Sequence, residues 1–234
     1  MRSRGGADMR IVWLGQAGFF LECDGIKILI DPYLSESCKD LNPNNYRRMP
    51  IDKGFLDIRP DVIVLTHGHL DHTDPETLKH YLSRDGEITV LASPGAYEKV
   101  RGMGCGHNYV RFSRHSEWTV GEVRFVAVRA EHSDTEPIGV IIEAEGKKYY
   151  HTGDTLYNTE IFDDVPDDIY AMMAVVNGKG NNMNLSDAQR FAVKISPKYL
   201  VPMHWGLHDD IYPDSLCYDK TVIPEIYKEI RLEG

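Results

Sequence analysis

A chain of 234 residues, 42% hydrophobic and 26% charged, has room to bury one sizeable core and sits at the upper edge of single-domain length. Its formal net charge of −10 lacks the basic footprint of a nucleic-acid binder, so no nucleic-acid partner is expected. Four cysteines, Cys23, Cys38, Cys105 and Cys217, make no C-x-x-C pair, and no apolar run approaches membrane-spanning length. A disulfide framework and a membrane protein are therefore set aside in favour of a cytoplasmic chain with reduced thiols.

In chain order, residues 1–8 read as a disordered leader without the apolar stretch of a signal peptide, and a single domain is expected over 9–234. "MRIVWLG", "FFLECD" and "KILID" are short β-rich runs divided by turns. The Pro/Asn-rich "LNPNNYRRMP" is long enough to be a functional loop. "DVIVLT" is the continuous apolar run of a strand buried on both faces. "DPETLKHYLSR" predicts a helix with Asp74 as N-cap and Pro75 at its first position. "EITVLAS" predicts a strand and "PGAYEKVRGM" a short helix, followed by four strands from Glu117 to Asp154 and another in "IYAMMAVVNG". "NLSDAQRFAVKI" predicts a helix capped by Asn184 or Ser186, "YLVPMH" a strand, and "VIPEIYKEIRL" a closing helix. Two strand-rich halves with interspersed helices describe a layered α/β protein whose helices lie outside paired sheets.

Between the buried strand and the capped helix lies "LTHGHLDHTD", in which His67, His69, Asp71 and His72 follow the spacing H-x-H-x-D-H. Capping and dipole effects account for Asp74 and could account for Asp71. They do not account for three histidines at fixed spacing. Imidazole and carboxylate on one strand-to-helix loop suit a divalent metal such as zinc, manganese or iron. Of the remaining histidines, His80, in a helix, and His151, in a strand, read as surface or core residues, and His208 as one that lines the pocket without being a ligand; His107 and His115 carry no assignment.

This spacing after a buried strand resembles the signature of the metallo-β-lactamase-fold hydrolases, and the likeness runs from Met9 onward. It implies a four-layer αββα sandwich. It further implies that His67, His69 and His132 hold one metal, that Asp71, His72 and His204 hold a second, and that Asp154 bridges them with a water or hydroxide. One or two ions per chain are expected, with Asp71, Asp154 and His204 at the reacting centre and Asp31 behind a ligand histidine.

"WLGQAGFFLE", "ILIDPYLS", "VNGKGNNMN" and "VPMHWG" together resemble the branch that includes the bacterial L-ascorbate-6-phosphate lactonase. The chain is distinctly shorter than that enzyme, which places the likeness in the scaffold. It implies hydrolysis of a lactone or ester in a small polar substrate, with a phosphorylated sugar acid as one such compound. In "NGKGNNMN", Asn177, Lys179, Asn181 and Asn182 are expected to meet the substrate; the alternative is a turn needing Gly and Asn, plus a helix cap. Arg47 and Arg48 read as a solvated pair rather than phosphate ligands. A homo-oligomer is compatible with the fold. The competing readings are a small-molecule phosphodiesterase and a metal-binding domain without catalysis. The filled ligand positions speak against the latter, and His69, where flavodiiron proteins carry Glu, speaks against redox chemistry.

Overall fold

The computed structural model describes residues 9–233; the leader expected at residues 1–8 lies outside them. The first sheet runs β1 (Arg10–Gly15), β2 (Gly18–Cys23), β3 (Ile26–Ile30), β4 (Val62–Leu65), β5 (Thr89–Ala92) and β6 (Asn108–Arg111), in that spatial order. β1 to β3 form an antiparallel meander and β3 to β6 a parallel run. The second sheet holds β7 (Glu117–Val120), β8 (Val123–Arg129), β9 (Ile138–Ala144), β10 (Lys147–His151), β11 (Ile169–Val175) and β12 (Tyr199–Met203), again in sequence order. β7 to β10 are antiparallel, and β10 to β12 parallel.

Period-two alternation builds the layers. On β1, Ile11 and Trp13 face the core shared with the second sheet, while Val12 and Leu14 face the opposite side. The shared core takes Phe19, Ile28 and Val64 from the first sheet and Phe125, Val140 and Met173 from the second. Truncating fully buried Phe125 to Ala would cost about 3–5 kcal/mol, because this close-packed layer cannot collapse around the void.

Among the described residues, five α-helices accompany the sheets: α1 (Ser37–Leu41), α2 (Lys53–Leu56), α3 (Pro75–Leu82), α4 (Pro94–Val100) and α5 (Leu185–Ile195). α3 and α4 lay Leu78, Tyr81, Leu82, Ala96 and Val100 on the outer face of the first sheet. α5 lays Ala188, Phe191, Ala192 and Ile195 against the second sheet. The result is the expected αββα sandwich. Asp74 caps α3, accepting from the amides of Glu76 and Thr77, and Asn184, rather than Ser186, caps α5.

Two expectations fail here. "VIPEIYKEIRL" is an extended strap, not a helix. Its backbone pairs at Thr221 and Val222 with Leu200 of β12, and at Tyr227, Glu229 and Ile230 with Trp13, Val12 and Ile11 of β1. β1 and β12 are outer strands of their sheets, and their unpaired backbone groups outcompete local helix propensity in a segment interrupted by Pro224. Arg47 is not solvated either. It is 7% exposed, and its guanidinium donates to the Tyr33 carbonyl at 2.7 Å and the Tyr227 hydroxyl at 2.8 Å. It thereby staples the long loop to the strap. Arg48 does reach solvent, paired with Asp210.

Candidate metal centre

Every candidate ligand sits on a loop just beyond the C-terminal end of a strand: His67, His69, Asp71 and His72 after β4, His132 after β8, Asp154 after β10 and His204 after β12. The strands bring these loops to one end of the sandwich, where loops can turn side chains inward without disturbing the ladders. Asp154 and His132 stand three residues beyond their strands, not at their ends. Gly153 makes the turn into Asp154 with φ +61°, and a Cβ there would stand 2.6 Å from the Ile138 carbonyl oxygen.

The side chains fall into two groups, His67–His69–His132 and Asp71–His72–His204, each with its ligand-type atoms within 4.8 Å of one another. Asp154 lies between them. Its Oδ2 is 3.4 Å from Nε2 of His72 and of His204 and 3.8 Å from Nε2 of His132, and it accepts from Asn182 at 2.7 Å.

Backbone carbonyls set two tautomers. His69 Nε2 donates to Ser133 O at 3.1 Å, and His132 Nδ1 donates to Asn181 O at 3.1 Å. Each neutral ring then turns a bare lone pair toward the other, His69 Nδ1 and His132 Nε2 being 3.0 Å apart. Two lone pairs facing at that distance repel, and a shared cation resolves the conflict. Among the described residues, eight buried side-chain polar atoms lack a hydrogen-bond partner, and five converge here: Nε2 of His67, His72 and His208, Oδ1 of Asp154 and Oδ1 of Asn182. Buried polar atoms left open in such a concentration call for an ion or water. The donor set therefore fits divalent metal.

Behind the candidate ligands stands Asp31. Its carboxylate, fully buried, accepts from His72 Nδ1 at 2.7 Å, from the Thr66 amide at 2.8 Å and from the Thr66 hydroxyl at 2.5 Å. Thr66 Oγ1 also lies 3.2 Å from His67 Nδ1, so one carboxylate orients a ligand in each group. Burial and the charge of His72 push His67 well below the usual imidazole range. Burial works against a charge on His72, but Asp154, Asp71 and Asp31 outweigh it and hold His72 well above that range. Burial likewise raises Asp71 and Asp154, yet the surrounding imidazoles win and keep both carboxylates well below their ordinary values.

A cleft of about 320 Å³ opens over the centre. Asn177, Lys179, Asn182 and His208 line it, but the Asn-rich segment also supports the ligands. Asn177 Nδ2 lies 3.0 Å from His204 Nδ1, the Asn181 carbonyl accepts from His132, and Asn182 holds Asp154. His151 is a core residue donating to Ala17 O at 2.8 Å, and His80 is exposed. Gly68, between His67 and His69, does not face the centre. A Cβ there would instead meet Asp134, the Gly95 carbonyl and Lys99, each at 3.2 Å. The Gly68 amide donates to Asp134 at 2.6 Å and its carbonyl accepts from Lys99, which ties the H-x-H turn to the loop bearing His132.

Sequence reasoning missed Gln16, Thr66, Asn45 and Asp134. For Gln16 a signal existed: "LGQAGF" places a glutamine in a two-residue hairpin loop, where turn chemistry favours Gly, Asn or Asp.

Residues 27–205 match the Beta-lactamase superfamily domain. The UPF0173 metal-dependent hydrolase of Staphylococcus aureus is 30% identical over 243 residues, covering 92% of this chain and 93% of that protein. A UPF0173 protein of Pyrococcus furiosus is 29% identical over 214 residues, covering 88% of each. Among solved structures, a metallo hydrolase of Ignicoccus hospitalis aligns with a TM-score of 0.76 at 19% identity over 97% of this chain and 99% of that one. An isothiocyanate hydrolase from Delia radicum gut bacteria aligns with a TM-score of 0.71 at 18% identity over 96% and 99%. These structures carry the fold alone. The matching family model and the sequence relatives place the chain in the UPF0173 metal-dependent hydrolase family, within the metallo-β-lactamase superfamily.

Proposed function

We propose that the chain opens the lactone or ester bond of a small, polar, anionic substrate, in the manner of an L-ascorbate-6-phosphate lactonase. The cleft carries this reading. Its volume, about 320 Å³, lies at the small end for ligand sites, and its walls above Asp71 and His204 are polar: Asn45, Ser133, Asn177, Lys179, His208 and Asp209. Among the described residues, no large apolar side chain lines it to receive an acyl chain. Lys179, exposed at the cleft, would meet a carboxylate or phosphate on the substrate.

The two histidine-containing sets, with Asp154 between them, would hold one or two divalent ions, which supply Lewis acidity and bring the ionisation of water toward neutral pH. The protein's own groups complete the chemistry. Asn182 fixes Asp154, and Asp31 fixes His72. Asp71, which lines the cleft, would pass a proton from the adding water to the alkoxide as the C–O bond breaks. His204, with Nε2 3.2 Å from Asp71 Oδ2, holds that carboxylate in place.

A hydrolysis panel with manganese and zinc in parallel tests the reading. It should compare sugar-acid lactones, acyl lactones, thioesters and bis-p-nitrophenyl phosphate. Turnover of polar lactones is expected, with KM raised by Lys179→Ala more for anionic than for neutral ones. Turnover of the phosphodiester alone would overturn it.

A further inference from the structure

Gln16 stands out because its backbone is unfavourable and its side-chain nitrogen reaches two candidate ligands. It is the first of two residues, Gln16 and Ala17, in the hairpin loop between β1 and β2, and its φ is +48°. A non-glycine residue is strained there, and the conformation persists only where its surroundings enforce it. A residue selected for the turn alone would be Gly, Asn or Asp. Gln16 is also 3% exposed, so solvation of its amide does not explain it.

Its contacts supply the reason. Nε2 donates to Asp71 Oδ2 at 3.0 Å and lies 3.4 and 3.5 Å from the two ring nitrogens of His204. The Gln16 carbonyl accepts from the His204 amide and the Trp13 indole, each at 2.8 Å. His204 itself has φ +62°. Main chain and side chain of one residue thus grip two of the three members of the Asp71–His72–His204 set. Among the described residues, the hydrogen bonds of Gln16 run to Asp71, His204 and Trp13 and to no member of the His67–His69–His132 set.

The geometry points to Gln16 as a positioning residue that selectively organises the Asp71–His72–His204 metal position. This inference rests on the two-position metal centre described above. By bonding Oδ2 of Asp71, Gln16 fixes the carboxylate's rotation. Through its carbonyl it fixes the strained backbone from which His204 projects. Neither effect reaches the other position, where Ser133, Asn181 and Thr66 hold the rings.

The test is metal binding, independent of any substrate. Ion content of the purified protein is measured by mass spectrometry. Chelator-stripped protein is then titrated calorimetrically with zinc chloride and with manganese chloride. The variants are Gln16→Gly, which relieves the backbone, and Gln16→Met, which keeps the shape and removes the donor. Both should weaken the second ion by roughly 10–100-fold and leave the first unchanged. The stripped Gln16→Gly protein should melt at or above the wild-type temperature, because positive φ costs glycine nothing. A purely structural role predicts the reverse: a lower melting temperature with both ions bound as in wild type. That result, or unchanged binding of both ions in Gln16→Met, overturns the assignment. Wild-type protein that binds no ion, or a single one, overturns the two-position centre itself and the role of Gln16 with it.

Discussion

Replacing Asp31 by Ala should be among the most damaging single substitutions outside the ligands. The carboxylate is fully buried and satisfies three donors: the Thr66 amide, the Thr66 hydroxyl and His72 Nδ1. Truncation strands all three where water does not compensate, at about 1–2 kcal/mol each, for a total of about 3–6 kcal/mol. That is a large part of the roughly 5–15 kcal/mol that holds a domain together. Urea unfolding of the metal-free protein reads the loss directly, with the slope checked to be unchanged. A cycle with Thr66→Val sharpens the test. The single Thr66→Val variant should lose about 1 kcal/mol, and the double variant should be more stable than the sum of the two losses predicts by about 1 kcal/mol, because the hydroxyl is no longer there to be stranded. A loss below about 1 kcal/mol in Asp31→Ala, or strict additivity in the cycle, would refute the claim that this one carboxylate supports both Thr66 and His72.

Three further outcomes are expected. Gly153→Ala combines a φ of +61° with a Cβ placed 2.6 Å from the Ile138 carbonyl, so it should cost about 2–4 kcal/mol and release metal by displacing Asp154; calorimetric melting and ion content check both. Asp164, raised by burial but lowered more by Arg114, His115 and the Arg129 amide, titrates at about 2 instead of 3.8. A depressed carboxylate stabilises the fold above its unfolded pKa and loses that contribution as pH falls through its folded one, so melting temperature should drop between pH 4 and 2, and less steeply in Asp164→Asn. Chelation should lower the melting temperature of the wild type, since an ion present at 100 times its Kd stabilises by about 2.7 kcal/mol, and His67→Ala should abolish most of that shift.

The H-x-H-x-D-H run was legible as a candidate site because its spacing is local: a turn between a buried strand and a capped helix brings it together whatever the rest of the chain does. His132, Asp154 and His204 were legible only through resemblance, because singly each is a polar residue after a strand. Asn181 acts through its main-chain carbonyl, which any residue could offer, so its identity carries little of its role. Gly68 and Asp134 are far apart in sequence, and nothing in either neighbourhood announces their bond. The strap over residues 221–230 misled for a related reason. Its apolar residues suit a helix, and only the exposed edges of β1 and β12 decide otherwise. No helix among the described residues is long and apolar enough to cross a membrane.

That strap has a consequence for biosynthesis. β1 emerges from the ribosome early, yet the partners of its outer edge, Tyr227, Glu229 and Ile230, emerge some 200 residues later. Throughout translation the nascent chain therefore carries an open strand edge beside the hairpin that bears Gln16. Arg47 waits equally long for Tyr227. The contacts that hold Gln16 against His204 form only once residue 204 is made, whereas the partners of the H-x-H turn and of His132 all lie upstream of it. The two metal positions would accordingly mature at different times, the Asp71–His72–His204 position last. Arrest of translation before residue 221 would leave an adhesive edge exposed, and with it a target for chaperones.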